Sequence, residues 1–173
     1  MDRDEPSSRD RTIYRAARDI GAPVGEVWRV FTTRSGLEAW WPPEGFAFSV
    51  LALEPQVGGR VEFQYEEAFA ALSPTLAREL ERIGSSSRWY ARGSFLVFEP
   101  ERRLSLEQSL EFGRGVPPIA YRLTAEFEGR GSSTRLTLEA ESLTTRHWIS
   151  LGERNLAGQL DRIEAALRSR VGP

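Results

Sequence analysis

Cysteine and lysine are both absent from this chain of 173 residues, histidine and methionine occur once each, and all 23 basic residues are arginine. Without a thiol there is no disulfide staple, no cysteine nucleophile and no thiolate metal site. Without lysine there is no Schiff-base chemistry, no lysine-anchored pyridoxal cofactor and no P-loop lysine, because arginine stays protonated and is not an amine nucleophile. One imidazole, His147, is too few for a histidine-rich zinc or iron centre, so any metal would rest on oxygen ligands alone. No cofactor and no metal are therefore expected. A net charge of −2 provides no broad positive field, so nucleic acid is not an expected partner. No apolar run reaches the roughly 18 residues of a membrane span.

What is present is a chain of one-domain length, 40% hydrophobic and 10% aromatic, able to bury about 70% of its unfolded surface unaided. Residues 1–10 carry mixed charge and no apolar stretch, which predicts a disordered lead and no export signal, with a single domain over 11–170. A cytoplasmic protein is expected; its oligomeric state is left open.

The pattern along the chain reads as α+β. Ile13 and Tyr14 before Gly21 predict a first strand over 12–20. Pro23 is placed as a first helical position, followed by one apolar face of Val24, Val27, Trp28 and Phe31. Ser35 and Glu38, at capping-box spacing, predict the start of a second short helix carrying Leu37, Trp40 and Trp41 up to Pro42 and Pro43. From Phe46 the period becomes two, and six strands follow with connections short enough for an antiparallel meander. One connection is longer: an insertion at about 68–84 holds its own helix, opened by Ser73 and Pro74, closed by Gly84 and striped with Leu72, Leu76, Leu80 and Ile83. This stripe suits either a lid over a cavity or a cap on a sheet edge. The end, from about Trp148 to Arg168, is a long amphipathic helix on which Glu164 is placed to pair with Arg168.

The stretch with Val27, Trp28, Trp40, Trp41 and Pro42 resembles the activator of heat-shock-protein-90 ATPase family of the START-like SRPBCC superfamily. The likeness continues through Gly58, Gly59 and Arg60, through Gly93, Pro100, Arg103 and Leu104, and through the last strand into the final helix, covering about 11–170. It implies a helix-grip fold, a curved antiparallel sheet around a long C-terminal helix with a cavity between them. Superfamily relatives bind lipids, hormones or polyketides, some are cyclases or hydrolases, and the namesake contacts a chaperone. Fold alone does not choose among these. The insertion and the final helix, which has GERNLAGQLDRI where many relatives carry a Trp, depart from the family pattern.

Candidate site residues follow from burial and chemistry. Trp28, Trp40, Trp41, Tyr65, Tyr121 and Trp148 suit an aromatic box for a flat or greasy ligand, and equally a packed core. Gln108 shares strand parity with Leu104, Leu106, Leu110 and Phe112; a buried amide there needs either a neighbour or a ligand. Asn155 and Gln159, one turn apart on the final helix, face either the same cavity or solvent. Trp40, Tyr65, Gln108, Tyr121, Asn155 and Gln159 form the expected ligand set. His147 is the one side chain with a reference pKa near neutrality, but no nucleophile elbow accompanies it, which leaves it a weak catalytic candidate. Gly113-Arg114-Gly115 and Gly129-Arg130-Gly131 resemble phosphate loops only in composition, since they lie between strands. Three functions remain: a non-enzymatic domain binding a small hydrophobic or amphipathic ligand, a module acting on a chaperone or other protein, and a cyclase- or hydrolase-type enzyme using His147.

Overall fold

The structure is a computed structural model that describes residues 11–43, 45–67, 74–82, 84–113, 115–143 and 149–170. Strand β1 (Arg11–Ile20) is followed by two helices, α1 (Val24–Thr32) and α2 (Arg34–Trp40). Then come β2 (Phe46–Leu53), β3 (Arg60–Glu67), helix α3 (Pro74–Arg82), β4 (Arg88–Glu99), β5 (Arg103–Glu111), β6 (Ile119–Arg130), β7 (Ser133–Leu143) and the closing helix α4 (Ile149–Ser169). The seven strands form one antiparallel sheet in the order β1-β7-β6-β5-β4-β3-β2, so β2 to β7 are the expected meander and β1 completes the far edge against β7. The sheet curves around α4 in the helix-grip manner. Among the described residues no helix is long and apolar enough to cross a membrane.

The period-two pattern sorts side chains as the sheet requires. Val61, Phe63 and Tyr65 of β3 are buried while Glu66 is exposed and Glu62 and Gln64 are half-buried. Leu156, Leu160, Ile163 and Leu167 make the buried face of α4, which lies against β1, β7, α1 and α2. Between these layers runs a continuous chain of aromatic contacts. Trp28 meets Phe98 and Phe127 edge-on at 5.1 and 5.2 Å, Phe31 meets Trp40 at 4.6 Å, and Trp41 meets Phe63 at 5.1 Å.

Two local expectations are corrected. Pro23 is the N-cap of α1, one position before the helix proper, with an extended backbone (φ −60°, ψ 151°). The cap of α2 is Thr33 and not Ser35: Thr33 is extended (φ −120°, ψ 149°), and its hydroxyl accepts from the Gly36 N–H at 3.2 Å while donating to the Arg29 carbonyl at 2.7 Å. A single residue thus ends α1 and starts α2, so the second helix opens two positions earlier than the Ser35–Glu38 box implies. Glu38 is consequently free to reach across to the sheet, where its Oε1 accepts from the Val50 N–H at 3.0 Å and fastens α2 to the edge strand β2.

The charge pairing on α4 is also corrected. Asp161 and Glu164 both accept from Arg18 of β1, at 2.5 and 2.9 Å, a bond between elements in place of the expected pair with Arg168. A partner on a neighbouring strand, invisible in the helical spacing, lies nearer than one a turn away.

The insertion contains its helix. Gly84, with φ 71°, ends it in a Schellman motif: the Gly84 N–H bonds the Glu81 carbonyl at 3.0 Å and the Ser85 N–H bonds the Leu80 carbonyl at 2.9 Å. Its base is tied to the sheet by the Ser86 N–H to the Phe112 carbonyl (2.8 Å) and the Glu67 N–H to the Ser87 carbonyl (2.9 Å). Leu80 is buried; Leu72 and Ile83, and the side chain of Leu76, lie outside what the structure describes.

Candidate functional site

The inward face of the sheet carries one row that interrupts the apolar pattern. Across β3, β4, β5 and β6 the register places Val61, Gly93, Gln108 and Tyr121 side by side. Gln108 is 2% exposed, flanked along β5 by Leu106 and Leu110, and neither its amide nitrogen nor its oxygen has a hydrogen-bond partner among the described residues. Gly93 contributes no side chain on one flank. A Cβ there would stand 1.7 Å from the Glu107 carbonyl oxygen, so the close approach of β4 to β5 demands glycine.

Tyr121 faces Gln108 from the other flank and is half-buried. Burial raises its phenol above the usual tyrosine range. Tyr65 is also raised, chiefly by burial and further by the neighbouring Tyr121, with the Trp41 bond acting the other way. The Trp41 indole N–H donates to the Tyr65 hydroxyl at 2.7 Å, and that hydroxyl keeps its own proton for another acceptor. The Tyr65 ring stacks on Trp89 at 3.8 Å with the planes 6° apart, and Trp89 leans on Phe112 at 4.7 Å. The Trp89 indole N–H, buried, has no partner among the described residues.

The remaining expected ligand residues occupy structural positions. Trp40 is fully buried, with its indole N–H on the Val30 carbonyl at 2.8 Å. Gln159 is buried and donates to the Trp41 carbonyl at 3.2 Å, leaving its own oxygen without a partner among the described residues. Arg162 donates to the Trp40 carbonyl at 2.9 Å and to Asn155 at 3.4 Å. Thus Gln159 and Arg162 cap the C-terminal carbonyls of α2, where a cation and an amide donor suit the negative end of a short helix, and Asn155 steadies Arg162. Gln159 joins the inner cluster through Trp41; Asn155 serves its rim. His147 and Trp148 lie outside the described residues.

Tyr65, Gln108 and Tyr121, with Gln159 behind Trp41, are therefore brought together. Sequence reasoning missed Trp89 and Gly93 as parts of this face. Trp89 carried a usable signal, since its strand parity matches Tyr65 across the β3–β4 pair. On the outer face Arg15, Arg103, Thr124, Glu126, Thr137 and Glu139 line a depression of about 50 Å³, laced by surface ion pairs. Among the described residues no group of three acidic or imidazole side chains is placed to hold a metal. Of the two glycine-arginine-glycine segments, Gly129 and Arg130 are the last residues of β6 and Gly131 stands in the turn to β7, while Arg114 lies outside the described residues.

Comparison with solved structures gives the same fold at low identity. A protein from Chromobacterium violaceum is 19% identical, with a TM-score of 0.69 over 89% of this chain and 96% of that one. One from Arthrobacter aurescens is 17% identical, with a TM-score of 0.70 over 91% and 86%. One from Rhizobium leguminosarum is 13% identical, with a TM-score of 0.69 over 92% and 96%. Comparison with curated proteins gives no match. The model of one protein family, described as "Activator of Hsp90 ATPase homolog 1-like protein", matches residues 21–168. That match takes in both helices, the meander and almost all of α4, and on it the chain belongs to the Activator of Hsp90 ATPase homolog 1-like family.

Proposed function

We propose that this chain binds a small hydrophobic or amphipathic molecule between the sheet and the closing helix and does so without catalysing a reaction. The observation that carries the reading is the inner polar row. A protein of this size gains nothing from desolvating an amide that bonds to nothing, and each such group costs about 1–3 kcal/mol. Gln108, Trp89 and the Gln159 oxygen together make a set of interior valences that a bound molecule completes. The walls around them are aromatic, which suits a largely apolar guest with few polar atoms.

The test is thermal unfolding of the purified protein against a panel of lipids and aromatic compounds, with solvent extraction and mass spectrometry of whatever co-purifies. A ligand at about 100 times its Kd adds roughly 2.7 kcal/mol, a rise of some 5–10 °C for a chain this long. If no compound raises the melting temperature and the extract is empty, the reading falls.

A second reading, contact with a chaperone of the Hsp90 class, takes its support from the family description and from two exposed apolar side chains. Val57 and Leu96 are 65% and 43% exposed, and the Gly58 N–H bond to the Phe95 carbonyl at 2.8 Å draws their backbones together. Apolar residues scattered singly on a surface are ordinary; an adjacent pair is what favours a partner here. Titration calorimetry against the chaperone, with V57D and L96D as controls, decides it: a complex weakened by both substitutions supports the reading, and the absence of heat with wild-type protein sinks it.

A further inference from the structure

We propose that the guest of the inner face is an uncharged molecule that presents a hydrogen-bond donor and an acceptor side by side to Gln108, as a carboxamide or lactam edge does. This rests on the ligand-binding reading above and narrows it to a chemical class.

The polar side chains buried among the described residues are Ser105, Gln108, Thr134 and Gln159, and none is charged. Ser105 is used by Thr124 at 3.0 Å, and Thr134 donates to the Ala22 carbonyl at 2.8 Å. Two glutamines remain with valences to offer. An anion or ammonium moved from water into such a site would lose its hydration and meet no opposite charge among the described residues, a cost that neutral hydrogen bonds do not recover. The guest is therefore neutral.

Gln108 then sets the head group. A carboxamide has a donor edge and an acceptor edge a short distance apart, and both are vacant here. A guest offering only an acceptor leaves the Gln108 oxygen buried and unpaired; one offering only a donor leaves the nitrogen so. A group carrying both satisfies the amide in two bonds. Four residues along β3 and β4 from the Gln108 row, the same face carries spare protons. Trp89 offers an unpartnered N–H, and the Tyr65 hydroxyl, already accepting from Trp41, retains a proton to give. The Tyr65–Trp89 stack provides a wall for a flat ring.

Three probes on one ring system separate the possibilities: naphthalene, 2-naphthamide and 2-naphthoate, measured by isothermal titration and thermal shift on the full chain. Wild-type protein is expected to bind 2-naphthamide at least about tenfold more tightly than naphthalene, the size of two modest hydrogen bonds, and 2-naphthoate more weakly than either. In Q108L the preference for the amide over naphthalene is expected to vanish while naphthalene binding persists. The proposal is overturned if 2-naphthoate binds wild-type protein as well as the amide does, or if the amide preference survives in Q108L. Naphthalene binding with no amide preference overturns the head-group assignment and leaves the ligand-binding reading standing. Failure of all three probes to bind overturns both.

Discussion

Gln108 is the residue where packing and chemistry pull in different directions. Strand parity puts it in the core row of β5, and its burial removes water from an amide that finds no partner among the described residues. Replacing such a group with an apolar one of similar size removes the desolvation cost along with the polar atoms. Q108L, without added ligand, is therefore expected to be more stable than the wild type by about 1 kcal/mol, some 2–4 °C in melting temperature. Urea denaturation measures this directly; a loss of similar size would show that the amide is already satisfied. Parity made Gln108 legible in the sequence, because alternation is a local property of a strand. Gly93 was not legible as its neighbour, since the pairing of β4 with β5 is decided by the whole meander and by the bulge between Phe95 and Val97.

At the scale of elements, Thr33 and Ser35 make the clearest contrast. The sequence points to Ser35 as the cap through its spacing to Glu38, and the extended backbone at Thr33 gives the role to Thr33 instead. Thr33→Ala is expected to cost about 1 kcal/mol by urea denaturation, whereas Ser35→Ala, at an exposed helical position, is expected to change stability by less than about 0.5 kcal/mol. Equal costs would return the cap to Ser35. The other end of α2 was out of reach of sequence reasoning. Gln159 and Arg162 supply donors to its last carbonyls from more than a hundred residues away, so their role is set by how α4 crosses α2. Asp161 and Glu164 repeat the lesson, since Arg18 of β1 competes successfully for both.

For the whole molecule, the buried phenols link stability to alkaline pH. Tyr65 and Tyr121 have folded-state pKa values raised above the ordinary value near 10, because burial penalises the phenolate. In the unfolded chain both lose their protons from about pH 10 upward, while in the folded protein both keep them. The unfolded state then binds fewer protons, so folding stability is fully present below about pH 10 and is lost as pH rises beyond it, by up to about 1.4 kcal/mol per pH unit for each tyrosine. Urea denaturation at pH 9, 10 and 11 is expected to show this decline, and Tyr65→Phe is expected to remove about half of the slope. A wild-type slope unchanged by that substitution would mean that Tyr65 is not the buried phenol the structure makes it.

The order of elements, the inward face of each strand, the amphipathic closing helix and the helical insertion were all determined by local periodicity and punctuation, which the chain carries in every stretch of a few residues. The same is true of the exclusions that follow from having no cysteine and no lysine. Tertiary structure alone decided which of the candidate polar residues are spent and which are spare. Trp40, Asn155 and the Gln159 nitrogen became parts of the α2–α4 junction, while the Gln159 oxygen stayed open and Gln108, Tyr65, Tyr121 and Trp89 were gathered onto one face. A hydrogen bond is satisfied or left open by atoms within about 3 Å, and which atoms those are depends on the curvature of the sheet and the crossing of its helices, quantities that no run of neighbouring residues contains.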